Sequence, residues 1–279
     1  MTLLQVPQSI IEENVFNALK EDIGDGDITA ELIPQENISL ATVISREDCV
    51  FCGLDWFEET FRQVDDEILI DWFVDDGDEI KPGQTICTIS GSSQNIVTCE
   101  RTAINFIQTL SATATLSASY AQQVSGTNCK VLDTRKTLPG LRMAQKYAVS
   151  CGGCENHRLG LFDAFLIKEN HINACGSIKE AVDEARFHNP DMQVEVEVEN
   201  MLELQQALEA NVDRVLLDNF DIAGLKEAVA ICEDKVITEA SGNVSLENLK
   251  NIAETGVNYI SVGALTKDIK AVDLSMRFD

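Results

Sequence analysis

Histidine is scarce in this chain: three occur in 279 residues, at positions 157, 171 and 188, and none forms an HxxxH pair. That removes the usual histidine-based zinc patterns. No window approaches the run of about 18 apolar residues that a membrane-spanning helix needs. The opening stretch Met1-Thr2-Leu3-Leu4-Gln5-Val6-Pro7 has no positive region ahead of a sustained apolar core, so no secretory signal is expected. Low-complexity tails and a dinucleotide-type glycine fingerprint are both missing. Positive charge is short as well, with 21 Lys and Arg against 47 Asp and Glu for a net charge of −26. Such a surface repels nucleic acid and anionic membranes, so neither is an expected partner. The expectation is a cytoplasmic protein acting on small molecules.

Cysteine is not scarce. There are nine, an odd number, and most sit inside apolar runs, as Cys87 does in Ile86-Cys87-Thr88-Ile89 and Cys232 in Val229-Ala230-Ile231-Cys232. Buried thiols in a reducing compartment read this way, and a disulfide framework does not. Cys49/Cys52 and Cys151/Cys154 have CxxC spacing. With no matched histidines, a structural role is favoured over a metal or redox role. At 44% hydrophobic and 24% charged residues, a chain of this length can bury its core without a staple.

The distribution of charge says more than its total. Residues 130–170 hold Lys130, Arg135, Lys136, Arg142, Lys146, Arg158 and Lys168 against Asp133, Glu155, Asp163 and Glu169. A basic island in an acidic protein suits a small, multiply anionic ligand, and a solvated basic face would give the same composition.

From residue 129 onward, short β-rich runs alternate with amphipathic helical stretches. The runs are 130–133, 164–168, 193–198, 214–218, 235–239 and 259–263; helices are expected over Ser177–Ala185, Met201–Ala210, Ile222–Cys232 and Ser245–Glu254. That alternation predicts βα units around a parallel sheet, and without a dinucleotide fingerprint an incomplete barrel is favoured over an open doubly wound sheet. The first hundred residues mix helices (Ser9–Lys20, Asp55–Phe61) with alternating strands (Ile38–Ser45, Ile68–Val74, Gln84–Ile89), as an α+β domain with an antiparallel sheet does. The turns Asp75-Asp76-Gly77-Asp78 and Lys81-Pro82-Gly83 look like a carrier-domain hammerhead, but no lysine stands at a hairpin tip for modification. An Ala, Ser and Thr-rich helix over 101–124 is expected to link the parts.

In a βα barrel the functional side chains gather at the C-terminal strand ends. Here those ends carry Asp133-Thr134-Arg135-Lys136, Lys168-Glu169-Asn170-His171, Glu197, Asp218-Asn219, Ser241-Gly242-Asn243 and Gly263. Arginine and lysine match carboxylate or phosphate oxygens. Glu197 and Asp218 are hard oxygen donors for Mg²⁺ or ribose hydroxyls. Ser241-Gly242-Asn243 offers backbone N–H groups to a phosphate, aided by the helix expected from about Ser245, and Gly263 permits close approach. Blander readings exist for each. Asp218 would serve as a helix N-cap, Gly263 as a simple turn, and Glu195, Glu197 and Glu199 as one solvated strand face. Inside a barrel, though, that face is not water, and buried carboxylates need cations. His157, beside Arg158 in a glycine-rich turn, reads as a ligand.

At this point the residues resemble a known family. Cys151-Gly152-Gly153-Cys154-Glu155-Asn156-His157-Arg158-Leu159-Gly160 is similar to a characteristic segment of quinolinate phosphoribosyltransferases. The same holds for Asp133–Arg142, Leu166–His171, Val194–Val198, Leu216–Asn219, Ser261–Thr266, Glu21–Thr29 and Glu100–Asn105. The resemblance implies an N-terminal α/β sandwich over 1–108, with the tail 268–279 packing on it, and an open, about seven-stranded α/β barrel over 109–267. One strand more than the six legible runs is therefore implied. It also implies transfer of phosphoribosyl from phosphoribosyl pyrophosphate to quinolinate with decarboxylation. Arg135, Lys136, His157, Arg158 and Lys168 would line the quinolinate site, joined by Arg101 from the other subunit of a homodimer. Glu197 and Asp218 would face ribose and Mg²⁺; Ser241, Gly242, Asn243 and Gly263 would cradle phosphate. Lys136, Lys168, Glu197 and Asp218 carry the catalytic expectation. Lys267 stands where the family often has histidine, so a cation toward phosphate is retained there.

Overall fold

The computed structural model describes residues 3–233 and 235–279, so Met1 and Thr2 of the opening stretch lie outside the described residues. The chain forms two compact units: one of residues up to 118 with 137–153 and 264–279, the other of 119–136 with 154–263. No helix among the described residues is long and apolar enough to cross a membrane.

The first unit is built on a four-stranded antiparallel sheet in the order Leu274–Phe278, Ile38–Ser45, Thr85–Ser92, Leu69–Trp72. Alternation in Ile38–Ser45 turns Ala41, Val43 and Ser45 inward, as a one-sided sheet requires. Phe57 and Phe61 from the helix Leu54–Val64 and Ile96, Ile104 and Ile107 from the helix Ser93–Gln123 cover that face. The final strand closes the sheet through Ala41↔Phe278 to Ser45↔Leu274 pairing. Helices Gln8–Ile23 and Arg142–Cys151 contribute Val15, Ala144 and Ala148 to a second core around Trp56. The long helix begins at Ser93, earlier than the 101–124 span suggested. A helix over Arg142–Cys151 was not anticipated.

The second unit carries all six expected runs as one parallel sheet, ordered Lys130–Leu132, Tyr259–Ser261, Ile237–Ser241, Arg214–Asp218, Val194–Val198, Phe165–Ile167. Beyond Leu132 a single parallel bridge at Glu155 extends the ladder. There Glu155 N–H donates to Val131 O at 2.8 Å and Asp133 N–H to Glu155 O at 3.1 Å. This one-residue rung stands where pattern reading found no seventh strand. Among the described residues, nothing joins it to Phe165–Ile167, so the barrel is open.

Two expectations are corrected. The strand expected at 235–239 lies at Ile237–Ser241, which puts Glu239 in its middle. The helix expected from Ser245 to Glu254 is only Leu249–Ala253, capped at Asn248. Ser245 to Asn248 form a turn ahead of it: Ser245 O accepts from Asn248 and Leu249 N–H at 3.3 and 3.0 Å, and Asn248 Oδ1 accepts the Ser245 N–H at 2.8 Å.

Register fixes which side chains meet in the lumen. Glu195 pairs with Arg214, Glu197 with Leu216, Leu216 with Glu239, Glu239 with Tyr259, and Asp218 with Ser241. Paired residues of neighbouring strands share a face, so one side of the sheet carries Glu195, Glu197, Arg214, Asp218 and Glu239 among Leu216, Ile237 and Tyr259.

Candidate active site

A cavity of about 270 Å³ opens at the C-terminal strand ends of the second unit. Four expected cations reach it: Arg135 and Lys136 after Lys130–Leu132, Arg158 after the Glu155 rung, and Lys168 after Phe165–Ile167. The basic island divides accordingly. Lys130 is paired with Glu155, while Arg142 donates to Thr137 Oγ1 at 3.2 Å and Lys146 is fully buried, both within the first unit. Arg158 lies below its ordinary proton affinity, first through burial and next through the neighbouring Arg135 guanidinium. Arg135 Nε is buried with no hydrogen-bond partner. Two guanidiniums held this close, with donors to spare, form a receptor for an anion.

Lys168 pairs with Glu197 across adjacent strands. Its backbone N–H donates to His171 Nδ1 at 3.0 Å, which caps the helix Glu169–Cys175 and fixes where the lysine leaves the strand. Arg158 is held the same way: its backbone N–H donates to His157 Nδ1 at 2.7 Å. The His157 backbone N–H donates in turn to Asp133 Oδ1 at 2.9 Å, and Asn156 Nδ2 donates to Asp133 Oδ2 at 2.6 Å. Nε2 of His157 faces Glu195 Oε2 at 2.9 Å and Glu239 Oε2 at 3.5 Å.

Glu195, Glu197 and Glu199 do share a face, and their exposure is graded: Glu195 is buried, Glu197 half-buried and Glu199 exposed. The solvated-face reading therefore holds only at the mouth. Burial pushes both Glu195 and Glu239 up to about 7, and for Glu239 the nearby Glu195 adds to the rise. Arg214 Nη1 lies 3.2 Å from Glu239 Oε2, with its guanidinium 4.6 Å from the centre of the Tyr259 ring. Glu239, Arg214 and Tyr259 were not singled out from sequence, and Glu195 only as one of three acids on a strand face. The signal available was parity: each is an even number of residues from a lumen-facing partner.

Asp218 ends its strand and is not a helix cap; the helix Ile222–Cys232 is capped by Asp221, whose side chain accepts from Gly224 N–H. Its Oδ2 accepts from Asn219 Nδ2 at 2.7 Å. Glu197 and Asp218 stand on adjacent strands, and Asp218 is two residues beyond Leu216, the partner of Glu197, so both project to one side. Two hard-oxygen carboxylates on one face fit Mg²⁺, held directly or through water.

In Ser241-Gly242-Asn243 the backbone turns left-handed, with φ of 94° at Gly242 and 50° at Asn243. A Cβ on Gly242 would sit 2.2 Å from Asn219 Oδ1, so only glycine fits there. The short Leu249–Ala253 helix starts four residues after Ser245, where the N-terminus was expected. At Gly263 a Cβ would come 2.9 Å from Lys136 Cδ, so the bare glycine lets the lysine stem cross it. Arg101 is exposed on the helix Ser93–Gln123 of the first unit. Lys267, also in the first unit, pairs with Asp268 at 3.2 Å.

All nine cysteines are free thiols. Cys52 and Cys151, one from each CxxC pair, meet beside Asp76 in the first unit, their potential ligand atoms within 4.8 Å. Asp76 is already committed: Oδ1 accepts from Gly53 and Leu54 N–H at 2.8 and 3.2 Å, and Oδ2 from Tyr147 Oη at 2.8 Å.

Comparison with known proteins agrees with this architecture. Residues 27–111 match the N-terminal domain, and residues 113–277 the C-terminal domain, of quinolinate phosphoribosyl transferase. The chain is 40% identical to the mitochondrial quinolinate phosphoribosyltransferase (decarboxylating) 2a of Nicotiana tabacum over 94% of its own length and 80% of the relative. A nicotinate-nucleotide pyrophosphorylase structure from Francisella tularensis superposes with a TM-score of 0.96 at 46% identity, covering 99% of this chain and 98% of that one. One from Ehrlichia chaffeensis gives 0.93 at 37% identity, covering 99% and 100%. The chain belongs to the quinolinate phosphoribosyl transferase family.

Proposed function

We propose that this chain transfers the phosphoribosyl group of phosphoribosyl pyrophosphate to quinolinate, releasing pyrophosphate and carbon dioxide and leaving nicotinate mononucleotide. The observation that carries the reading is the convergence of Arg135, Lys136, Arg158 and Lys168 on one cavity with Glu197 beside them. Quinolinate is a planar dianion, and each charge-assisted hydrogen bond to it contributes on the order of 1.5–3 kcal/mol. Nicotinate, with one carboxylate, would leave one more of these positive charges uncompensated than quinolinate does.

Arg135 and Arg158 hold the carboxylates, with His157 setting the Arg158 backbone; Lys136 and Lys168 stand at the reacting end. The pyridine nitrogen lone pair attacks C1 of the ribose as the bond from C1 to pyrophosphate breaks and its electrons leave with pyrophosphate. The ring, now alkylated on nitrogen, accepts the electrons of the adjacent C–CO₂ bond, and that carbon takes a proton. No side-chain nucleophile is needed: Glu197 and Asp218 orient the ribose hydroxyls, and Ser241, Gly242, Asn243 and Gly263 hold the phosphate, with Lys267 adding positive charge. The chain's work is positioning and electrostatic stabilisation. Glu197 and Asp218 would also hold Mg²⁺, which when bound neutralises pyrophosphate charge.

The reading further takes the enzyme as a cytoplasmic homodimer, with Arg101 reaching the partner's site. Nine free thiols support a reducing compartment, and an exposed Arg101 is available to a second subunit. Assaying carbon dioxide and nicotinate mononucleotide with phosphoribosyl pyrophosphate, Mg²⁺ and either quinolinate or nicotinate tests it. Product from quinolinate alone is the expected result, and turnover of nicotinate without carbon dioxide would replace the reading.

A further inference from the structure

Two buried carboxylates, Glu239 lining the cavity and Glu195 near it, have no task in the reaction just described. Glu195 and Glu239 are 3% and 0% exposed, and each keeps one oxygen without a hydrogen-bond partner. Buried charge of this kind does not improve on apolar packing for stability. What the pair faces, at ion-pair distance, is the Nε2 edge of the His157 ring. Because Nδ1 accepts the Arg158 backbone N–H, the ring proton lies on Nε2, the atom that faces both acids. The Glu239 oxygen that faces the ring, Oε2, also accepts from Arg214 Nη1 at 3.2 Å, and the Arg214 guanidinium stacks on Tyr259. A chain of contacts therefore runs from four neighbouring strands, through one imidazole, to the backbone of a cation on the cavity wall.

We propose that Glu195 and Glu239 are positioning residues: they clamp the His157 ring and through it fix where the Arg158 guanidinium stands beside Arg135. The inference rests on the proposed function for the identity of the acid that Arg158 receives, but the clamp itself is independent of it. A longer or shorter side chain at either position would tilt the ring and swing Arg158 away from Arg135. An amide in place of Glu239 keeps an oxygen for the ring N–H, whereas a methyl group does not.

Two measurements test this on the whole enzyme. In ¹⁵N-histidine-labelled protein without substrate only three rings contribute, and His157 is expected as the neutral Nε2–H form, with its Nε2 resonance kept in place in Glu239→Gln and shifted in Glu239→Ala. The second is a cycle on quinolinate KM. Glu239→Ala is expected to raise it about tenfold with the KM for phosphoribosyl pyrophosphate unchanged, Glu239→Gln to restore it to within about threefold, and Glu239→Ala to add less than about twofold in an Arg158→Ala background. An Nδ1–H ring in the native protein, or losses that multiply in full in the double variant, would overturn the proposal. Absence of quinolinate turnover in the native enzyme would instead defeat the functional reading, and the ring spectrum would still decide the clamp.

Discussion

Lys168 and Glu197 are paired across the ends of two adjacent parallel strands, a cation and an acid of the same cavity neutralising each other. The pair is partly exposed, so its own contribution to stability is at most about 1 kcal/mol. On the proposed function its value would lie in readiness: an arriving anion would take Lys168 and release the Glu197 carboxylate toward ribose and metal.

Lys168→Ala is accordingly expected to leave the urea midpoint almost unchanged while kcat/KM falls by about 100-fold or more, the scale seen when one preorganised donor is removed. Steady-state kinetics beside unfolding curves check both halves. Activity within about threefold of native would take Lys168 out of the site.

If Arg101 acts on the partner's site, Arg101→Ala and Lys168→Ala subunits should each be inactive alone and recover when mixed. Random exchange gives one intact site in about a quarter of positions. Recovery toward that fraction is expected after exchange has been verified by mass. Exchange without recovery would put Arg101 outside the partner's site.

Much of this was legible in the chain. The runs at 214–218 and 259–263 were readable because β-branched and apolar residues end at a polar or glycine punctuation, and register then carried Asp218 and Ser241 to the same side. Glu239 was not legible in the same way: a two-residue error in its strand changes nothing about the pattern but decides whether the residue is a strand end or the barrel floor. The helix Arg142–Cys151 escaped because its inward face includes Gln145, Lys146 and Ser150. Those side chains break the apolar stripe that would announce a helix. Gln145 meets its burial by donating to Thr266 O at 2.8 Å and accepting from Leu138 N–H at 2.7 Å, partners that only the fold supplies.

Asp76 offers a stability test in the first unit. Its carboxylate accepts two N–H groups at the start of the helix Leu54–Val64, where Gly53 has no side chain to do so, and it also accepts the Tyr147 hydroxyl proton. Asp76→Ala removes a cap and strands a half-buried hydroxyl, a loss of about 3 kcal/mol, while Tyr147→Phe should cost about 1 kcal/mol. Both tryptophans, Trp56 and Trp72, lie in this unit, so urea unfolding followed by their fluorescence reads it directly. An Asp76→Ala midpoint equal to native would remove the cap from the account.

The buried acids predict a pH dependence with a definite sign. Burial pushes Glu239 from its ordinary 4.5 to about 7, with Glu195 close by adding to the rise. Between those values the folded protein holds a proton that the unfolded chain has released. The associated stability is complete below about pH 4.5 and is lost as pH rises through about 7, at up to about 1.4 kcal/mol per pH unit for each proton. The chain's net charge of −26 also weakens folding as pH rises, so the native curve alone cannot isolate the effect. Glu239→Gln can, because the amide stays neutral throughout while the surface charge remains the same. Urea unfolding followed by circular dichroism at pH 5, 6, 7 and 8 should give a shallower decline for Glu239→Gln, with the variant gaining on the native enzyme toward pH 8. Parallel curves would mean that Glu239 is ionised across the whole range, with Arg214 and His157 supplying the compensation that burial otherwise demands.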